Sequence, residues 1–146
     1  MTPRELYPGL FVSGHTRGLD PIQTIAILKW HGISHVVCVA PREDKELAIE
    51  MKKNNDFYYE HVPLSDGKTI PAQTIRGLAR DLEKALQVRK ILIHCNAGRN
   101  RSPFIAALIM IYRGLSPEEA ISTIRASRNS ALANQYFVDF LLKEKA

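Results

Sequence analysis

The stretch Lys90-Ile91-Leu92-Ile93-His94-Cys95-Asn96-Ala97-Gly98-Arg99-Asn100-Arg101-Ser102 decides how the chain is read. An apolar run of strand character, Lys90 to Ile93, feeds a short polar loop. Behind the loop, Pro103 to Tyr112 is an apolar run of helical character. A strand that turns tightly into a helix aims several backbone N–H groups, and the positive end of the helix dipole, at one point. Cys95 and Arg101 stand six positions apart across that turn, the layout of an anion pocket built around a nucleophile.

Each residue type in the loop has a physical task. A free cysteine, with a pKa of ~8.5, is mostly thiol at neutral pH, whereas a helix N-terminus with cations beside it favours the thiolate. Cys95 is therefore expected as the charged nucleophile. The loop from Asn96 through Ala97, Gly98, Arg99 and Asn100 to Arg101 is expected to hold the phosphate. Gly98 supplies backbone angles that turn successive amides inward, and Arg101 offers a planar fork for two phosphoryl oxygens at once. Ser102, in the first helical turn, can donate its hydroxyl proton toward the Cys95 sulfur and make it a better leaving group. His94 is read as orienting the loop rather than acting as a base.

His94-Cys95-x-x-Gly98-x-x-Arg101-Ser102 resembles the signature loop of the cysteine-based protein tyrosine phosphatases, and the short chain resembles their dual-specificity branch. The resemblance implies a general acid on a separate upstream loop. Leu64-Ser65-Asp66-Gly67-Lys68-Thr69-Ile70-Pro71 is polar, rich in turn residues, and lies between a strand-like run (Phe57 to Val62) and a helix that Pro71 can open. Asp66 is the candidate acid. As a bare dipeptide, Asp66-Gly67 would equally make a solvated turn. Chain order separates this pattern from low-molecular-weight tyrosine phosphatases and arsenate reductases, whose cysteine loop comes first and acid last. A rhodanese-type sulfurtransferase has a shorter loop and no upstream acid.

The activity implied is hydrolysis of phosphomonoesters on proteins, phosphotyrosine above all and phosphoserine or phosphothreonine as further substrates, through a phosphocysteine intermediate. Asn100 departs from the small residue, Ser or Gly, that usually precedes the loop arginine. The Gly-x-Asn-Arg run resembles cysteine-dependent RNA 5'-triphosphatases, and the extra cation Arg99 resembles phosphoinositide phosphatases, so both stand as alternatives with nucleic acid or lipid as substrate. A non-catalytic phosphate-binding module is a third alternative, although such proteins usually lose the Cys, the Arg or the acid. Arg99 reads equally well as a solvated side chain. Arg125 and Arg128 read as braces of the loop or partners of acids.

With 146 residues, 45% apolar and 24% charged, the chain fits a single catalytic domain spanning 1–146 with a sizeable core. Its formal charge of +5 suits anionic substrates, but the basic residues are dispersed and form no nucleic-acid tract. No run is long enough to cross a bilayer, and the first residues lack a basic-then-apolar layout, so a soluble, cytoplasmic protein without membrane association is expected. The histidines show no metal-ligand spacing, and neither metal nor cofactor is expected. The other cysteine, Cys38, lies in a strand-like run, Ser34 to Ala40, and reads as a packed core thiol, with a redox partnership to Cys95 as the lesser option.

Strand and helix signals alternate. Leu10 to Ser13 is a first short strand. Asp20 caps a helix with Pro21 at its first position, running to about Trp30 and stopped by Gly32. A strand at 34–40, a charged helix from Arg42 to about Asn54, a strand at 57–62 and a helix from about Ala72 to Gln87 precede the signature strand. Gly114 stops the loop helix, Ser116-Pro117-Glu118-Glu119 is a capping box, and Asn134 caps a final helix. The order predicts an α/β fold of the protein tyrosine phosphatase type. A central, mainly parallel sheet of four to five strands is flanked by helices, with Cys95 and Asp66 at carboxyl ends of strands.

Overall fold

The computed structural model describes residues 1–14, 18–96 and 98–146, so Ala97 of the signature loop lies outside the described residues. Along the chain the elements are β1 (Arg4–Tyr7), β2 (Leu10–Ser13), α1 (Pro21–Trp30), β3 (Ile33–Cys38), α2 (Lys45–Lys53), β4 (Tyr58–His61), α3 (Ala72–Ala85), β5 (Lys90–His94), α4 (Arg101–Tyr112), α5 (Pro117–Ser127) and α6 (Gln135–Leu142). The sheet order is β1-β2-β5-β3-β4. The four strands from β2 to β4 are parallel, and β1 alone runs antiparallel. The expectation of a mainly parallel α/β sheet flanked by helices is met.

β5 occupies the centre because it is apolar on both faces, as a strand covered on both sides must be. Ile91 and Ile93 join the larger core with α3 to α6, while Leu92 joins the smaller one with Phe11, Leu28, Val36, Leu47 and Met51. Parallel register aligns Ser13, His94 and Cys38 across the three inner strands. The chain therefore leaves β5 for the signature loop between the ends of β2 and β3.

Helix α4 gives the signature loop a rigid base. Every side chain from Ser102 to Ile111 is buried, and a helix apolar on all sides is stable only when neighbours surround it. Here α3, α5, α6, β2 and β5 do so. Phe104 stacks on Phe137 at 4.3 Å between ring centroids and takes Phe140 edge-on at 5.5 Å.

The helix caps form where the sequence places them. The Asp20 carboxylate accepts from the Ile22 amide at 2.9 Å, and Ser116 and Glu119 exchange both bonds of a capping box at 3.1 Å each. One strand was not expected and several boundaries shift: β3 and β4 span 33–38 and 58–61 rather than 34–40 and 57–62, and α3 ends at Ala85 rather than about Gln87. Strand β1 carries no strand signal of its own, because Arg4-Glu5-Leu6-Tyr7 is largely polar and has an irregularity between Glu5 and Tyr7. The charged helix begins at Lys45 rather than Arg42, since the Asp44 carboxylate accepts from the Leu47 amide at 3.2 Å and so fixes the N-cap. Helix α4 begins at Arg101, two residues before the apolar run that betrays it. Truncating the stacked ring, Phe104→Ala, is expected to cost about 3–5 kcal/mol, read as a lowered urea midpoint.

Candidate active site

Cys95 follows β5 directly and is almost wholly buried, 1% exposed. Two groups meet its sulfur: the Gly98 amide donates to Sγ at 3.1 Å, and the Ser102 hydroxyl lies 3.1 Å from it. Ser102 is itself fully buried in the first turn of α4. The loop thus closes on the sulfur from its own middle and from the helix behind it. Arg101 opens that helix and is half-buried.

Gly98 is required there for two reasons. Its φ of +66° is in the left-handed region, and a Cβ would stand 3.0 Å from the Gly14 amide nitrogen and 3.1 Å from the Ser13 carbonyl carbon. Those are backbone atoms of the β2 exit and cannot swing aside. The close approach holds the loop against the end of β2, where the Cys95 amide also donates to the Ser13 carbonyl at 3.4 Å.

His94 is the last residue of β5, immediately before the loop. Its ring is buried, Nε2 has no hydrogen-bond partner among the described residues, and burial pushes its pKa down to about 4. Its carbonyl accepts from the Val39 amide at 2.9 Å, so the residue anchors the loop start to the end of β3. Burial likewise pushes the Cys38 thiol up to about 11, which keeps it protonated near neutrality.

Asp66 reaches the site from the other side. The main chain after β4 continues along β3, with the Val62 amide donating to the Cys38 carbonyl at 2.9 Å and the Leu64 amide to the Val39 carbonyl at 3.1 Å. Leu64 is buried, and Asp66 emerges exposed two residues later. Its carboxylate accepts from Asn100 Nδ2 at 2.9 Å on Oδ2 and from Asn134 Nδ2 at 2.8 Å on Oδ1. The acid loop and the cysteine loop, remote in sequence, therefore touch through Asn100.

The side chain of Asn100 is placed differently from its expected part in the phosphate cradle. Its Oδ1 accepts from the amides of Ala133, 2.8 Å, and Asn134, 3.1 Å, while Nδ2 faces Asp66. Arg99 has an exposed side chain, and its carbonyl accepts from the Leu132 amide at 2.8 Å. Leu132 has φ +59°, and Arg125 holds this turn through the carbonyls of Ala131, 3.4 Å, and Leu132, 3.0 Å. Asn96 lines a cavity of about 430 Å³ beside the loop, together with Gly98, Ser13, Gly14, Arg4 and Arg128. Asn134, which the sequence reading did not assign to the site, is brought onto Asp66 as well. Its sequence signal is that of a helix cap, which it also is, through the Tyr136 amide at 3.0 Å.

A family model described as the catalytic domain of dual specificity phosphatases matches residues 18–146. The chain belongs to this family. Among curated relatives of this dual-specificity phosphatase, human cyclin-dependent kinase inhibitor 3 (Homo sapiens) is 37% identical over 73 residues, covering 48% of the chain and 34% of the relative. Dual specificity protein phosphatase PHS1 of Arabidopsis thaliana is 29% identical over 143 residues, 96% of the chain but 15% of the relative. The chain thus spans a minor part of the length of these relatives. In fold it is similar to Tk-PTP, solved in its active form, with a TM-score of 0.79 at 24% identity over 99% of this chain and 97% of the other. That likeness includes β1 and β2, which precede the family match.

Two outcomes test this geometry. Gly98→Ala is expected to cost about 1–3 kcal/mol through the left-handed angle and the backbone clash, with a lower melting temperature and weaker inhibition by orthovanadate. His94 carries its ordinary pKa of about 6.5 when unfolded and about 4 when folded, so the unfolded state binds the extra proton between those values. Stability therefore falls as pH drops from about 6.5 to about 4, and His94→Asn is expected to flatten that part of a melting-temperature profile.

Proposed function

We propose that residues 1–146 act as one catalytic domain that hydrolyses phosphomonoesters on proteins, phosphotyrosine first and phosphoserine or phosphothreonine within its range. The observation that carries this reading is the meeting of the Gly98 amide and the Ser102 hydroxyl on the Cys95 sulfur, with Asp66 held to the same loop. The Gly98 amide donates to the sulfur and the Ser102 hydroxyl lies within reach to do so, which suits a thiolate, and a thiolate at a helix N-terminus is a nucleophile placed where an oxyanion is stabilised.

In the first step the Cys95 thiolate attacks phosphorus, an S–P bond forms, and the P–O bond to the substrate breaks. Arg101 and the loop amides hold the three equatorial oxygens, where charge develops in the transition state. Asp66 gives its proton to the departing oxygen. In the second step water attacks phosphorus, the Asp66 carboxylate takes a proton from it, and the S–P bond breaks. The Ser102 hydroxyl supports the sulfur as it leaves with the electron pair. The phosphocysteine route needs a reduced Cys95, and we place the protein in a reducing compartment such as the cytoplasm.

The RNA 5'-triphosphatase alternative leans on Asn100, and the engagement of that side chain with Asp66 and the 133–134 amides supports the protein-phosphatase reading instead. The presence of Cys95, Arg101, Ser102 and Asp66 together supports catalysis over a binding-only module.

Steady-state kinetics on a phosphotyrosine peptide and on an aryl phosphate with a strongly acidic phenol test the assignment. Cys95→Ser is expected to abolish turnover of both while keeping oxyanion binding. Asp66→Asn is expected to slow the peptide by about 10²- to 10⁴-fold and the activated ester far less. Turnover by Cys95→Ser would refute the nucleophile.

A further inference from the structure

We infer that Asn100 and Asn134 are positioning residues for the general acid, a two-amide clamp that joins the cysteine loop, the acid loop and the turn before α6. This deepens the function proposed above and rests on its assignment of Asp66. An exposed carboxylate on a polar loop samples many orientations, and a proton donor misplaced by about 1 Å can lose about 10²-fold in rate. Here each oxygen of Asp66 has its own amide donor: Asn100 Nδ2 at 2.9 Å on Oδ2, and Asn134 Nδ2 at 2.8 Å on Oδ1. Asn134 Nδ2 also reaches the Gly67 carbonyl at 3.2 Å, which fixes the backbone of the loop as well as its side chain.

The two clamps are themselves held. Asn100 Oδ1 accepts from the amides of Ala133 and Asn134, at 2.8 and 3.1 Å, so the donor side of the amide is aimed by the bonds on its acceptor side. Asn134 is fixed through its carboxamide oxygen by the Tyr136 amide at 3.0 Å. Below them, the Arg99 carbonyl and the Leu132 amide bond at 2.8 Å, and Arg125 holds the carbonyls of Ala131 and Leu132. These bonds dictate the side chain at position 100. Glycine offers no group, serine a single hydroxyl proton, and aspartate no donor when ionised; asparagine alone of these gives a donor and a twice-used acceptor on one rigid plane.

The experiment compares the intact chain with Asn100→Ser, Asn134→Ser and Asp66→Asn, and with each asparagine variant combined with Asp66→Asn. The substrates are the phosphotyrosine peptide and the activated aryl phosphate, with orthovanadate as the oxyanion probe and thermal melting as the check on folding. Asn134→Ser retains a capping oxygen for α6, so it carries the test if Asn100→Ser melts below the assay temperature. The expected result is a fall in kcat on the peptide of about 10- to 100-fold, little change on the activated ester, unchanged orthovanadate inhibition, and no further loss on the Asp66→Asn background. Equal losses on both substrates with weakened orthovanadate inhibition would make Asn100 a phosphate contact and overturn the inference. So would losses that multiply with that of Asp66→Asn, or folded variants as fast as the parent. If Asp66→Asn itself treats both leaving groups alike, the acid assignment fails and takes the clamp with it. A leaving-group-dependent Asp66→Asn beside indifferent asparagine variants sinks the clamp alone.

Discussion

Everything at the site depends on one close approach of backbone to backbone. The loop after β5 can wrap its Gly98 amide onto the Cys95 sulfur only because residue 98 has no Cβ and lies against the main chain of Ser13 and Gly14. That contact joins the loop to β2, and the Val39 amide on the His94 carbonyl joins it to β3. A sulfur buried this deeply is met by polar groups that are already in place, since reorganising such groups during a reaction would cost much of what they contribute. The parallel register of β2, β5 and β3 supplies that preorganisation, because three strands end side by side and the loop rises between them.

The second element of the site is reached by a different route. Asp66 lies on no regular element, and its backbone follows β3 only as far as Leu64. Beyond that, side-chain amides take over from the sheet. A carboxylate on a loop lacks the orientation that a strand would provide. The amides of Asn100 and Asn134 hold the Asp66 carboxylate while leaving it exposed.

What could be read from residue order was whatever local chemistry determines. The strand, cysteine loop and helix around Cys95, the Asp20 and Ser116 caps, and the alternation that makes the sheet parallel are all properties of short segments, and they were legible. Strand β1 was not, because a polar edge strand owes its conformation to pairing with β2 rather than to its own pattern. The starts of α2 and α4 were blurred by polar first turns. Asn100 was visible as an unusual residue but was assigned to the substrate, and Asn134 only as a cap. Their shared partner Asp66 is 34 and 68 positions away respectively, a relation that no window on the sequence contains.

The enclosure of α4 from Ser102 to Ile111 carries a consequence for how this domain fails. The helix that presents its positive end to the loop is also the axle of the hydrophobic interior, with Phe104, two residues after Ser102, stacked on Phe137. Such a helix has no partial excursion open to it: it cannot fray at the loop end without emptying the interior. Heating is therefore expected to undo the Cys95 loop and the interior together, whereas the loop of Asp66 is tied on by exposed side-chain amides.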